Sequence, residues 1–180
     1  MTPSPGLFNN RIAVAIVEND TFVRDGMTRL LGRFDDFNIV AAVTSPDAPK
    51  LAEAKPAVIL IASHLIDASH PLLRPVGIDG WRPRVVVTGV SPDQEDLLAL
   101  VRAGVMGFVV RDALFFELLS TIRTVASGTP VVPARLYATV ARNLAREHED
   151  RKRERLVRLG KMRASAVARD RYEGEFPIRQ

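Results

Sequence analysis

Four short groups of polar side chains follow apolar runs in this chain: Glu18-Asn19-Asp20, Ala62-Ser63-His64, Thr88-Gly89 and Arg111-Asp112. Glu18 and Asp20 carry two carboxylates, a set that holds a divalent ion weakly. His64, Asp67 and His70 are spaced H-x-x-D-x-x-H. On a helix, steps of three would nearly align them, and His and Asp are plausible metal ligands. Pro71 and the irregular context argue instead for a loop with ordinary polarity. Farther on, Arg151, Lys152, Arg153 and Arg155, with Arg158, Lys161 and Arg163, are of the type that contacts phosphates. The interleaved Glu147, Glu149, Asp150 and Glu154 favour a solvated helix face. Cysteine is absent, which removes disulfides, thiolate zinc sites and thiol catalysis together. There is no Gly-rich phosphate loop, no nucleophile triad and no carboxylate pair set for acid–base work.

Short apolar runs must position these groups. Ile12–Val17, Phe37–Val43, Val58–Ile61, Val85–Val87 (ending in Thr88) and Val105–Val110 read as strands. Continuous apolar runs of this length suit a sheet covered on both faces. Phe22, Val23, Met27, Leu30 and Leu31 recur at helical spacing and predict a helix over 21–33, started by Asn19-Asp20-Thr21. Thr44-Ser45-Pro46 predicts a short helix ending near Ala54. Residues 62–83 hold Pro71, Pro75 and Pro83 with Gly77 and Gly80, and predict irregular chain with one helical turn near Leu72. Ser91-Pro92-Asp93 predicts the opening of a helix with Leu97, Leu98 and Val101 as its stripe, closed by Gly104. Asp112 is the expected cap of a helix carrying Leu114, Phe115, Leu118, Leu119, Ile122 and Val125, closed by Gly128. The order βαβαβαβαβα predicts a parallel sheet with helices on both faces. Ligands of such sheets lie at the carboxyl ends of the strands, where the four polar groups fall.

Hydrophobic residues make up 47% of the 180 residues and charged residues 26%, the balance of a soluble globular chain with one sizeable core. No apolar run approaches the ~18 residues of a membrane span. The first ten residues do not read as a signal peptide. Residues 1–140 carry 13 Lys and Arg against 14 Asp and Glu, whereas residues 141–180 carry 12 against 7. The basicity therefore belongs to the tail, and any polyanion partner must start there. In the tail, Leu136, Val140 and Leu144 keep a four-residue step. Glu147 with Arg151, Glu149 with Arg153, and Glu154 with Arg158 are acid-before-base pairs that support an exposed helix. Leu156, Leu159 and Met162 restore a narrow apolar stripe, so one long helix is expected over 134–165.

Over residues 11–130 the chain resembles a response-regulator receiver domain of the CheY-like type, with NarL/FixJ flavour. RIAVAIVENDTFVRDGMTRLL resembles that group's first strand, acidic turn and first helix. PAVILIASHL resembles its third strand and phosphorylation loop, and PRVVVTGV its fourth strand with the hydroxyl residue. RAGVMGFVVRDALFFELLSTIRTVASGTPVV resembles its fifth strand and last helix. The resemblance implies a flavodoxin-like five-stranded parallel sheet in order 2-1-3-4-5, helices on both faces, and a charged helical extension after it. It also implies phosphoryl transfer onto an aspartate at the end of the third strand. There two acidic residues and the aspartate bind Mg²⁺, a lysine neutralises charge, and a Thr or Ser carries the switch.

The sequence departs from that pattern at the reacting positions. The acidic pair falls on Glu18 and Asn19, with Asp20 adjacent. The phosphoacceptor position falls on Ala62, which has neither nucleophile nor metal ligand. The lysine position falls on Arg111, which keeps charge but not shape. Only Thr88 and the aromatic position Phe108 match fully. Thr88 reads equally as a relic of the switch or as a strand-end hydroxyl bonded locally, and Phe108 as core. Arg111 is expected to pair with Glu18 across the pocket. Ser63 is next to Ala62, but successive strand side chains point to opposite faces.

These readings give a phosphorylation-independent pseudo-receiver: a cytoplasmic, non-enzymatic regulatory protein with no cofactor and no metal. Its expected organisation is a disordered lead-in over 1–10, a receiver-like domain over 11–130, a basic helical extension over 131–172 and a frayed tail over 173–180. The expected partner is a protein, including a second copy of the chain, and no membrane. The helices after Asp93 and Asp112 offer Leu97, Leu98, Leu100 and Val101, and Leu114, Phe115, Phe116, Leu118 and Leu119, more than one stripe buries. Phe115, Phe116, Leu119, Leu156 and Leu159 are the expected contact surface. The alternative is a DNA-binding transcriptional regulator using Arg151, Lys152, Arg153 and Arg155. A minor alternative is a small-ligand binder at the vacant pocket. The stretch after Arg146 lacks the opening motif of the helix-turn-helix that NarL/FixJ regulators carry, so a complete domain of that type is not expected.

Overall fold

The computed structural model describes residues 11–75, 80–94 and 96–173, of which 160 and 163–173 are described as backbone only. The lead-in over 1–10 and residues 174–180 of the expected frayed tail lie outside the described residues. Two compact units divide the chain, Met1–Thr139 and Val140–Gln180.

The first unit is built on five strands: β1 (Ile12–Val17), β2 (Phe37–Val43), β3 (Val58–Ala62), β4 (Arg84–Val90) and β5 (Gly107–Val110). They form one parallel sheet in the expected order β2-β1-β3-β4-β5. All five residues of β3 are buried, as its unbroken VILIA requires of a central strand covered on both faces. Its neighbour β1 is buried from Val14 to Val17.

Four helices flank the strands: α1 (Thr21–Leu31), α2 (Ala48–Ala54), α3 (Leu97–Ala103) and α4 (Phe115–Ala126). Val14 and Ile16 of β1, Val58 and Leu60 of β3 and Val86 of β4 form one core with Leu31 of α1 and Leu118, Leu119, Ile122 and Val125 of α4. The two-residue side-chain period sends Ala15, Val17, Ile59 and Ile61 to the other face. The right-handed rule for parallel crossovers assigns α2 and α3 to that face, and their Leu51, Leu97 and Leu100 are buried.

Several boundaries differ from the sequence reading. The alternation is incomplete: among the described residues, the β3–β4 connection holds only two single turns of 3₁₀ helix, Ser63–Leu65 and Pro71–Leu73. Pro71, Pro75 and Pro83 remove the amide donors a longer helix would need. The helix α2 starts at Ala48, not at Thr44, because Asp47 Oδ1 accepts the Lys50 N–H at 3.4 Å. Pro92 does not open α3, which begins only at Leu97. Gly104 (φ 102°) closes α3 as expected, in the left-handed conformation that glycine adopts freely. Asp112 does not cap α4. The carboxylate of Glu117 accepts the Leu114 N–H at 3.1 Å, while Asp112 pairs with Arg135 at 2.8 Å. The apolar surplus expected on α3 and α4 is also smaller. Leu97, Leu98, Leu100, Leu118 and Leu119 are all buried, leaving Leu114 and Phe116 exposed.

One 40-residue helix, α5 (Ala134–Glu173), follows, as expected for the tail. Leu136 is buried at its start. Of the three acid–base steps, only Glu147 and Arg151 form an ion pair among the described residues, at 3.5 Å. Leu156, Leu159 and Met162 are exposed.

Candidate site at the strand ends

The carboxyl ends of β1, β3, β4 and β5 converge, because a parallel sheet places them on one edge. The register sets Ala62 directly opposite Thr88 on the adjacent strand. Around them opens a cleft of about 460 Å³, lined by Glu18, Ala62, Ser63, His64, Thr88, Gly89 and Arg111. Val23 and Met27 of α1, and Leu114, Phe115 and Leu118 from the start of α4, supply its apolar wall.

Glu18 follows β1 directly and is only 6% exposed. Its Oε1 accepts the Asp20 N–H at 2.9 Å, and its main-chain oxygen accepts from Arg24 Nη1 at 3.0 Å. Asp20 Oδ1 accepts the N–H groups of Phe22 and Val23 at 2.8 and 3.1 Å, so this carboxylate caps α1. Asn19 Oδ1 lies 2.8 Å from His64 Nε2, which ties the turn after β1 to the turn after β3. Ala62 is 4% exposed and presents a methyl group at the cleft. Ser63 Oγ donates to the Gly89 carbonyl at 3.1 Å. Thr88 Oγ1 donates to the Ile61 carbonyl at 3.4 Å, the local bond that one of its two readings anticipates. Phe108 is fully buried.

The structure thus brings Glu18, Ala62, Thr88 and Arg111 to one cleft, with Asn19 and Asp20 at its edge. The expected Glu18–Arg111 ion pair does not form among the described residues. Arg111 is exposed; the Glu18 carboxylate accepts the Asp20 N–H, and the Glu18 main chain bonds Val43 and Arg24. The spaced set His64, Asp67 and His70 is not one cluster. His64 turns to Asn19, Asp67 Oδ1 accepts from Ser69 Oγ at 2.6 Å, and His70 Nδ1 accepts the Leu72 N–H at 3.2 Å. The Ser69 hydrogen bonds hold the Asp67 carboxyl below its usual range. Burial pushes the His70 imidazole down, against the pull of Asp67.

The expected contact surface divides. Phe116 is 64% exposed, but Leu119 is 5% exposed and belongs to the core, and Phe115 is half-buried against Phe34. Leu119 therefore cannot be a surface contact; its position on α4 faces the sheet. Leu156 and Leu159 are exposed, as are Arg151, Lys152, Arg153 and Arg155.

Sequence reasoning missed the Asn19–His64 bridge and the Arg24 contact to the Glu18 carbonyl. The second had a signal: an arginine in the first turn of α1 reaches back to the strand end. It also missed a second groove of about 370 Å³ beside β5, lined by Phe108, Phe116, Thr121, Val131, Pro133 and Arg135 among others.

No family model matches the chain. It is 25% identical over 144 residues to the nitrate/nitrite response regulator protein homolog of Haemophilus influenzae, covering 78% of this chain and 68% of that one. It is 29% identical over 126 residues to the response regulator GacA of Pseudomonas protegens, covering 65% of this chain and 56% of the relative. The chain thus spans little more than half to two thirds of these relatives. Among solved structures, the isolated REC domain of RcsB from Salmonella enterica serovar Typhimurium, in the presence of phosphomimetic BeF₃⁻, superposes with TM-score 0.60 at 14% identity, covering 73% of this chain and 99% of that one. The RcsB–DNA complex gives 0.58 at 14% identity, covering 73% and 68%.

Proposed function

Because the chain is related to response regulators of the NarL and GacA type and its first unit has the receiver fold, we propose that it is an atypical, phosphorylation-independent response regulator acting through protein contacts. The observation that carries this reading is Ala62 at the end of β3, beside Thr88. A methyl group neither attacks a phosphoryl donor nor binds a cation. The Mg²⁺ that the receiver resemblance implies does not fit this donor set. A magnesium ion wants six oxygens in octahedral order. Here Ala62 supplies none, Asn19 Oδ1 is taken by His64, and Asp20 Oδ1 serves the helix cap. Arg111 keeps the positive charge of the family's lysine, but its rigid fork sits exposed at the rim.

The protein is accordingly read as a non-enzymatic, cytoplasmic regulator that works as a homodimer or with another protein, with Phe116 as the exposed aromatic anchor on α4. The test is incubation with acetyl phosphate and Mg²⁺ followed by intact-mass measurement. The mass is expected to stay unchanged. Addition of one phosphoryl group mapping to an aspartate overturns the reading.

A second reading rests on charge. Residues 141–180 hold 12 Lys and Arg against 7 Asp and Glu, and Arg151, Lys152, Arg153 and Arg155 are exposed on α5. This suits contact with a polyanion such as DNA, the ligand named for the RcsB complex.

A further inference from the structure

The strand-end cleft contains a buried carboxylate with no bonded cation among the described residues. Glu18 is 6% exposed, and the group bonded to its carboxylate is the neutral Asp20 N–H. Arg24 reaches only the main-chain oxygen of Glu18 and spends its other contacts on Thr21 and Asp25. Burying an ionised carboxylate with one neutral donor is costly, and a cation brought to it recovers part of that cost. The hydroxyls of Ser63 and Thr88 donate to main-chain carbonyls, so their oxygens remain as acceptors at the same cleft. The polar end of the cleft is thus rich in acceptors and carries one negative charge. Its other wall is apolar, formed by Val23, Met27, Leu114, Phe115 and Leu118. The volume of about 460 Å³ lies in the range of small-molecule sites. Ala62 keeps the cleft open, since a longer side chain there would occupy it.

We propose that this cleft binds a small organic amine, with its ammonium against Glu18 and its apolar body against Val23, Met27, Phe115 and Leu118. An ammonium needs only a few acceptors and no octahedral shell, so it suits a donor set that is wrong for a divalent metal. Arg111 on the same lining favours a single positive charge over two. The inference rests on the reading of the pocket as lacking phosphorylation chemistry, and it gives the vacant site a ligand class.

Tryptamine titrated into the full chain, followed by calorimetry and amide chemical shifts, tests it. Saturable binding is expected, with shifts at Ala62, Ser63, Thr88 and Phe115. Indole-3-ethanol and indole-3-propionate, which keep the ring and lose the cation, should bind about tenfold or more weakly. Glu18→Gln keeps an acceptor for the Asp20 N–H and removes the charge; it should weaken tryptamine by a similar factor and leave indole-3-ethanol unchanged. Ala62→Leu fills the floor and should weaken both. Equal affinities for the three indoles, no loss in Glu18→Gln, or shifts located away from the cleft overturn the proposal. The titration reads no phosphoryl transfer, so a chain that resists acetyl phosphate and ignores tryptamine loses only this inference.

Discussion

Arg123 of α4 grips Asp36 with two hydrogen bonds, Nε to Oδ2 at 2.7 Å and Nη2 to Oδ1 at 3.3 Å, and its guanidinium sits 5.2 Å from the centre of the Phe37 ring. The contact ties the last helix of the first unit to the turn that starts β2, 87 positions earlier. The Arg123 hydrogen bond holds the Asp36 carboxyl below its ordinary 3.8, and Asp36 raises the arginine in turn. A carboxyl lowered by folding stabilises the native state above its unfolded value, and that stabilisation is lost as pH falls through the lowered one. Both side chains are more than a third exposed, so solvent screens the pair. With the ring contact included, Arg123→Ala should cost about 1 kcal/mol at neutral pH. Urea midpoints of the two proteins should draw closer as pH is taken below 3.8, leaving only the difference due to the ring contact.

Gly107 of β5 sits where α4 lies flat on the sheet. A Cβ there would come within 2.9 Å of Val125 Cγ2 and 3.1 Å of both Thr121 Cγ2 and Val86 Cγ2. All three neighbours are β-branched and stiff at χ1, so none yields cheaply. Gly107→Ala should destabilise the fold by roughly 1–3 kcal/mol, read as a lower denaturant midpoint with unchanged slope.

Restoring a carboxylate at the end of β3 should harm stability. Ala62 is buried and lines the same cleft as the buried Glu18, so Ala62→Asp places two like charges in a poorly solvated site. Burial and the neighbouring charge both raise the new carboxyl's pKa in the folded state. The unfolded chain releases that proton near 3.9, so the deficit grows as pH rises above that value. The expected loss is roughly 2–4 kcal/mol at neutral pH and smaller in acid. A thermal melting difference that does not widen between acid and neutral pH counts against it.

The sheet was legible because its evidence is local: IAVAIV and VILI are short apolar runs that suit strands covered on both faces, while FNIVAAV, which carries Asn38, forms the half-covered edge strand β2. The strand order came from the receiver resemblance, since alternation alone fixes only parallel pairing. Helix starts were less legible, because capping is a competition. Glu117 outcompeted Asp112 at α4, and Asp47 outcompeted Thr44 at α2. Within the site, Ala62 could be placed by counting along β3. The Asn19–His64 bond could not, since 45 positions separate its partners and nothing local marks either. Leu119 is core rather than contact surface, because an apolar residue on a helix does not announce which face the sheet will take.

The tail offers two kinds of surface that substitutions separate. Leu156, Leu159 and Met162 are exposed on α5, while Arg151, Lys152, Arg153 and Arg155 place four positive charges on the preceding turns. The Glu147–Arg151 pair by itself stabilises the helix by only about 0.2–0.5 kcal/mol, too little to sustain a long exposed helix. A partner surface is therefore expected to contribute. If that contact is apolar, Leu156→Ser with Leu159→Ser abolishes self-association or capture of the protein partner, and added salt changes little. If it is a polyanion, replacing Arg151, Lys152, Arg153 and Arg155 with Gln weakens binding to duplex DNA uniformly across sequences. Each phosphate contact removed also flattens the salt dependence by about one unit of slope. Sedimentation and a salt-dependent gel shift on the unchanged chain and the two variants read both outcomes. A chain unaffected by either set of changes would carry its tail as a solvated helix, and the proposed regulator would then have to act through Phe116 and the first unit alone.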